Sequence, residues 1–369
     1  MSRTFRTLAI LSVLLGVCVS AGAASGAGAL QATLERLAGE HRICGAVVAV
    51  IEHRALGAVY TASGCQPPLR LTPESTFEAA SLGKPVFAYA VLKMAERGDL
   101  ALDTPLTHYL LSPYVHQQSP YGTVPAANSG QHSDPRLNEV TARMVLTHTA
   151  GLPNWSKNPI AFGSNPGARW QYSGAGYVLL QRAIEAISGK PLDEVMAAQV
   201  FVPTSMKHSD YVWSPRIAAD MVPQLRDNGA RVQSKPFTSP IAATSLYTSA
   251  SDFGRFMAVL LSDAPQLRQT ADAPVLADAN LGLSWGLGWG IEREKNDLFI
   301  WHWGNNPGYR AFAVASVQTG DGFVLLTDSD DGLALAAPIA ALVVPGAHRM
   351  FRFPMLNPSF NCKMFGRCN

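Results

Sequence analysis

Phe77-Glu78-Ala79-Ala80-Ser81-Leu82-Gly83-Lys84 runs directly into Pro85 and a stretch in which Val86, Phe87, Ala90, Val91 and Met94 recur at helical spacing until Gly98. The periodicity predicts a helix from Pro85 to Arg97, opened by the tetrapeptide Ser81–Lys84. There, a spacing of three puts the serine and the lysine on one helix face, within reach of each other. A serine hydroxyl is a poor nucleophile until an adjacent base takes its proton. A lysine can be that base once desolvation or a cationic neighbour lowers its pKa enough to leave it neutral. The helix N-terminus also points backbone N–H groups at any oxyanion forming beside Ser81. This S-x-x-K occurs once in the chain.

Outward from that stretch, Gly45–Ile51 and Ala58–Ala62 read as strands, so the mature chain is expected to open with a hairpin, the first thirty residues standing outside the fold. Residues 112–138, rich in Ser, Pro, Gly, Gln and His, read as a long irregular excursion. Helices are expected over Thr141–Thr147, over Gly176–Ser188 with Gly189 as its stop, and from a Ser249 or Ser251 cap to Leu261. The period then changes. Trp285–Ile291, Leu298–Trp303, Ala311–Gln318 and Gly322–Thr327 read as successive strands, followed by a short helix within Leu333–Val344. Strands at both chain ends and helices between them predict an α+β fold: an antiparallel sheet from the two termini, flanked by helices, with a helical subdomain inserted.

Two further segments carry polar groups suited to chemistry. Tyr172-Ser173-Gly174 precedes a helix start, where a tyrosine can join a serine–lysine pair. His302-Trp303-Gly304 ends a strand, with Gly304 allowing close backbone approach. Gly282-Leu283-Ser284-Trp285-Gly286 matches the nucleophile elbow G-x-S-x-G, which needs a helix after it and an acid and a histidine well downstream. The sequence continues instead into Leu287-Gly288-Trp289-Gly290, and Asp297 and His302 follow too closely. The same lack of a following helix excludes a dinucleotide loop at Gly286–Gly290. The nine histidines show no metal-ligand pairing, and His148 reads as a structural loop residue. No cofactor or metal is expected.

Of 369 residues, 47% are apolar and 15% charged, enough apolar chain for one large domain or two intimate subdomains. A net charge of +2, with basic residues unclustered, gives no nucleic-acid footprint, so the expected partner is a small molecule or peptide. Arg3, Arg6, the apolar run Leu8–Val19 and the small residues from Ser20 to Ala29 have the layout of a secretory signal peptide, taken as residues 1–24 with the cut between Ala23 and Ala29. A dozen apolar residues are too few to span a bilayer. Cys18 offers a lipoprotein site, but Val17 is bulky for the position before a lipidated cysteine. The expectation is export to the periplasm or medium, with a domain over 25–346 and a tail over 347–369. Cys44, Cys65, Cys362 and Cys368 remain, and the expected disulfides are Cys44–Cys65 and Cys362–Cys368, although four cysteines allow three connectivities.

Taken together, FEAASLGK (77–84), MVLTHTAGLP (144–153), WQYSGAG (170–176), SGKPL (188–192), Tyr247–Phe256, GLGWG (286–290) and HWGNNPGY (302–309) resemble the serine β-lactamase and penicillin-binding protein superfamily. The similarity is to the branch holding class C β-lactamases, D-Ala-D-Ala carboxypeptidases, D-aminopeptidases and related esterases. The resemblance spans about Leu34 to Ala340. It implies an acyl-enzyme on Ser81, Lys84 as base or proton relay, and Tyr172 as the group that passes a proton to the leaving group. It implies that His302 stands where lactamases carry the lysine of K-T-G, a histidine there being similar to carboxypeptidase and peptidase members, and that the oxyanion hole is the N–H groups of Ser81 and of Asn305, which follows Gly304. Two departures stand out. Gly174 replaces the asparagine of Y-x-N, and Trp303 is bulky where relatives are small, which would narrow the acyl pocket. The resemblance therefore points to esters, D-amino-acid peptides or related amides. The alternatives are a β-lactamase or carboxypeptidase proper, or a non-catalytic relative that binds peptidoglycan fragments or a protein partner.

Overall fold

The computed structural model describes residues 18–116, 134–155, 160–224 and 235–357. The chain runs α1 (Cys18–Glu40), β1 (Ala46–Glu52), β2 (Ala55–Ala62), β3 (Thr76–Ala80), α2 (Gly83–Glu96), α3 (Ala142–Leu146), α4 (Gly174–Ser188), α5 (Leu192–Met196), α6 (Pro215–Asp220), β4 (Leu246–Ser249), α7 (Ala250–Ser262) and α8 (Ala264–Ala271). It returns through β5 (Val275–Asp278), β6 (Leu283–Trp285), β7 (Gly290–Glu294), β8 (Asp297–Asn306), β9 (Tyr309–Ser316), β10 (Gly322–Thr327) and α9 (Ala336–Val343). Short 3₁₀ turns at Arg349–Arg352 and Pro354–Leu356 end the described chain.

Eight strands form one antiparallel sheet in the order β2-β1-β10-β9-β8-β7-β6-β5. The two chain ends meet within it, because β1 pairs with β10 from Ala46↔Thr327 to Ile51↔Gly322. The apolar run in β1 is continuous because both of its faces are covered. Val47, Ala49 and Ile51 join one core with Phe87 of α2 and Phe253 and Phe256 of α7. Ala46, Val48 and Val50 join a second core with Leu34 of α1 and Ile339 of α9. The helices α2–α8 fill the interval between β3 and β5, as an inserted helical region requires.

Local signals explain the helix ends. Thr141, Ser173 and Ser249 cap α3, α4 and α7 by accepting from Met144 N, Gly176 N and Asp252 N. Gly189, at φ 65°, ends α4 in the left-handed conformation that a side chain would resist.

The structure departs from expectation at several places. A helix precedes the hairpin: Leu30, Leu34 and Leu37, at i, i+4 and i+7, are buried on the sheet, each worth about 1.5–3 kcal/mol. The expected strand Trp285–Ile291 is two strands, β6 and β7, separated at Gly286–Trp289, where Gly288 takes φ 90°. The short strands β3 and β4 pair with each other in a separate two-stranded sheet and had no visible alternation. Residues 349–356 of the expected tail pack into the second core through Met350, Phe353, Met355 and Leu356. Cys44 and Cys65 are disulfide-bonded. The expected Cys362–Cys368 pair, residues 1–17 of the signal segment and 117–133 of the excursion lie outside the described residues. Among the described residues, no helix is long and apolar enough to cross a membrane.

Candidate active site

Ser81 sits in the turn between β3 and α2. Ala80 before it holds φ 50°, a conformation that non-glycine residues adopt only when the surrounding structure enforces it. The turn swings Ser81 to the head of α2, where Lys84 N donates to Ser81 O at 3.0 Å. Lys84 Nζ then lies 2.8 Å from Ser81 Oγ and donates to Ala243 O at 2.6 Å, while Ser81 Oγ lies 3.3 Å from the same carbonyl. Ala243 is held in turn: Gln181 of α4 accepts from Ala242 N at 2.9 Å and donates to Pro240 O at 2.9 Å. The lysine is thus fixed from three sides by backbone and serine.

Lys84 is 1% exposed. Its nitrogen lies 4.8 Å from the Tyr172 ring centroid and 5.6 Å from that of Tyr177, contacts that favour the ammonium form. Burial outweighs them and drives the lysine pKa well below its ordinary value. As an ammonium, Nζ donates to Ser81 Oγ. As a neutral amine it keeps an N–H for Ala243 O and turns its lone pair to the serine proton.

Tyr172 closes the other side. The loop Thr147–Asn154 grips its segment: His148 O accepts from Gln171 N at 2.7 Å, and His148 Nδ1 accepts from Ser173 N at 3.1 Å. The His148 ring also lies 4.4 Å from the Tyr172 ring, so the structural loop residue doubles as a wall of the site. Burial raises the Tyr172 pKa, and the neighbouring Ser81 hydroxyl acts in the opposite direction, although the two hydroxyls do not meet the geometry of a formed hydrogen bond.

His302 is fully buried, its centroid 5.3 Å from Trp285 and 5.2 Å from Trp303. Its Nδ1 is occupied by the Trp303 backbone at 2.8 Å, while Nε2 has no partner among the described residues. Burial, reinforced by Lys84, pushes its pKa down to about 3, so the imidazole is neutral across the physiological range. Further along β8, a Cβ on Gly304 would stand 2.1 Å from Ala79 O. That close approach brings Asn305 to the turn that carries Ser81. Among the described residues, no group of three His, Cys, Asp or Glu side chains is placed to hold a metal ion.

Below this contact, Asn306 Nδ2 donates to Glu78 Oε2 at 2.8 Å, and Thr244 Oγ1 donates to Asn306 Oδ1 at 2.8 Å. The trio ties β3, β8 and the Ala243 segment together. Burial raises the Glu78 carboxyl to about 7, against the opposing bond from Asn306. A carboxyl with a raised folded-state pKa adds stability that is fully present below its unfolded value of about 4.3 and is lost as pH rises through about 7. His302 and His148, both lowered, titrate in the opposite sense. The Glu78 contribution is therefore read from the difference between the native chain and Glu78→Gln. Between about pH 4.5 and 7 the native chain should lose up to about 1.4 kcal/mol per pH unit relative to the variant. Parallel urea-derived stability curves for the two proteins would refute this.

The comparisons with known proteins follow the same outline. The Beta-lactamase family model matches residues 30–345. The chain belongs to the β-lactamase family. It is 28% identical to Esterase EstB of Burkholderia gladioli over 74% of this chain and 80% of that protein. It is 23% identical to Penicillin-binding protein 4* of Bacillus subtilis (strain 168) over 82% of this chain and 72% of that protein. The solved Beta-Lactamase/D-Alanine Carboxypeptidase of Pseudomonas syringae superposes with a TM-score of 0.71 at 16% identity, covering 88% of this chain and 99% of that one. The architecture is the β-lactamase/transpeptidase fold, and the chain is a serine hydrolase of the β-lactamase-related family.

Against that family, the two sequence departures acquire structural meaning. Gly174 opens α4 with its N–H donating to Asn154 Oδ1 at 3.0 Å, and a Cβ there would stand 2.7 Å from Asn154 O. An asparagine could not be restored without moving the Pro153–Trp155 loop. Trp303, expected to narrow an acyl pocket, is 3% exposed and lies against Tyr172 with centroids 5.2 Å apart. Sequence reading missed Ala243, whose contribution is a backbone carbonyl and leaves no residue signature. It also passed over Trp285, whose ring contacts His148, Tyr172 and His302 although its motif was rejected.

Proposed function

We propose that this chain is an exported acyl-transferring hydrolase that forms an acyl-enzyme on Ser81 and acts on esters or amides lacking a carboxylate beside the scissile bond. The observation that carries this reading is the Lys84 amine, buried and 2.8 Å from Ser81 Oγ. In acylation, Lys84 Nζ takes the Ser81 proton as Oγ attacks the substrate carbonyl. The developing oxyanion is met by the N–H groups of Ser81 and Asn305. As the tetrahedral intermediate collapses, the lysine proton passes by way of the Tyr172 hydroxyl to the leaving oxygen or nitrogen. Water then attacks the acyl-serine through the same groups in reverse.

Charge supports the restriction on substrate. His302 occupies the position where a lactamase lysine would offer a cation, and its imidazole is neutral. Arg310, opposite Asn305 in the sheet, is bound to Asp330 at 2.7 Å and to the carbonyls of Asn306 and Tyr309. Neither offers a free positive charge to the carboxylate of a β-lactam or of a D-Ala-D-Ala terminus. The similarity to an esterase agrees with this. Export is supported by the N-terminal layout and the Cys44–Cys65 disulfide.

A fluorophosphonate probe should label the native chain and fail to label Ser81→Ala. p-Nitrophenyl esters should be turned over faster than nitrocefin or a D-Ala-D-Ala peptide. Equal labelling of both proteins would overturn the nucleophile, and rapid nitrocefin hydrolysis would overturn the substrate class.

A further inference from the structure

The family match stops at residue 345, yet the segment beyond it reaches the aromatic wall of the site. Phe353 is 4% exposed, with ring centroids 5.8 Å from both Trp170 and Trp303. Those two rings lie 6.4 and 5.2 Å from Tyr172. Phe353, Trp303, Tyr172 and Trp170 therefore close a ring of four aromatic side chains, with Phe353 opposite the tyrosine. The segment is pinned from the sheet. The buried carboxylate of Glu292, on β7, accepts from Arg349 N at 2.6 Å, Arg349 Nε at 3.3 Å and Met350 N at 3.4 Å. Phe353 N then donates to Met350 O at 2.9 Å, carrying the anchorage to the phenyl ring.

What holds Tyr172 makes this contact consequential. Its hydroxyl has no formed hydrogen bond among the described residues, so ring packing sets where that hydroxyl points. Aromatic pairs at these separations prefer offset or edge-to-face arrangements, which select one orientation of the ring. We propose that Phe353 is a positioning residue for the proton-passing step, holding Tyr172 in place through Trp303 and Trp170. The proposal rests on the role given to Tyr172 above.

Leaving-group dependence separates positioning from general support of the fold. A p-nitrophenolate departs without protonation, whereas an alkoxide or amine needs the proton that Tyr172 passes on. Phe353→Ala should lower kcat/KM, which reports acylation, for an ethyl ester by about tenfold to a hundredfold, with kcat/KM for the p-nitrophenyl ester of the same acid much less affected. Tyr172→Phe should show the same skew, larger. Phe353→Leu, which keeps most of the apolar volume but loses the ring, should show a smaller skew in the same direction, and if the alanine variant does not fold, an undisturbed ratio in the leucine variant overturns the proposal. Equal losses on both esters, or no loss, would overturn the proposal. An undisturbed ratio in Phe353→Ala beside a skewed one in Tyr172→Phe overturns the brace alone. An undisturbed ratio in both overturns the assignment of Tyr172 on which it rests.

Discussion

Replacing Lys84 with methionine should lower Ser81 acylation by about 10⁴-fold while leaving the protein at least as stable as before. The rate falls because no other group within hydrogen-bond reach of Ser81 Oγ among the described residues is a base; the remaining contact is the Ala243 carbonyl. Stability holds because methionine fills a similar volume and needs no desolvated amine. A lysine whose folded-state pKa is depressed loses stability as pH falls below its ordinary range, so the gain from methionine should grow toward neutral pH. The native acylation rate should climb with pH and level off well below the ordinary lysine pKa, and the variant's residual rate should lack that limb. Arginine should not rescue, since a guanidinium stays protonated and cannot accept the proton. Stopped-flow acylation across pH, with thermal melts of both proteins, is the check. A near-native rate in Lys84→Met would move the base elsewhere.

That prediction was accessible from four residues because helix geometry is local: a spacing of three at a helix start dictates that Ser81 and Lys84 meet. That strands from both chain ends build one sheet was accessible for a related reason, since a run such as Gly45–Ile51, buried on both faces, leaves a continuous apolar signature. Features that depend on distant backbone left no such mark. Ala243 acts through a carbonyl that any residue type would supply. β3 and β4 are five and four residues long, too short for alternation to register, and they pair across more than 160 positions of sequence. Phe353 is one phenylalanine among fifteen, and only the folding of the tail onto β7 gives it a place against Trp170 and Trp303, which in turn pack on Tyr172. Trp303 was legible only in part. Its bulk was legible, but which side of Tyr172 that bulk occupies depends on which face of β8 it shares with Trp301 and Phe299.

Gly304→Ala should cost about 10²-fold or more in kcat/KM, although the added methyl touches no side chain in the proposed chemistry. The new Cβ would stand 2.1 Å from Ala79 O and 3.0 Å from its carbonyl carbon, distances that neither backbone can relieve by a rotamer change. β8 and β3 must part by about an ångström, which is enough to draw the Asn305 N–H away from an oxyanion forming on Ser81. The trio of Glu78, Asn306 and Thr244 resists that separation, so the cost divides between lost activity and lost stability. Ser81 and Lys84 are both carried at the head of α2, and their mutual distance does not depend on β8. The residual activity of Gly304→Ala should consequently keep the native pH dependence, scaled down, whereas Lys84→Met should lose it. A Gly304→Ala enzyme with native kcat/KM would show that the β8 backbone takes no part in stabilising the transition state, and one whose pH profile flattens like that of the lysine variant would show that β8 holds Lys84 in place.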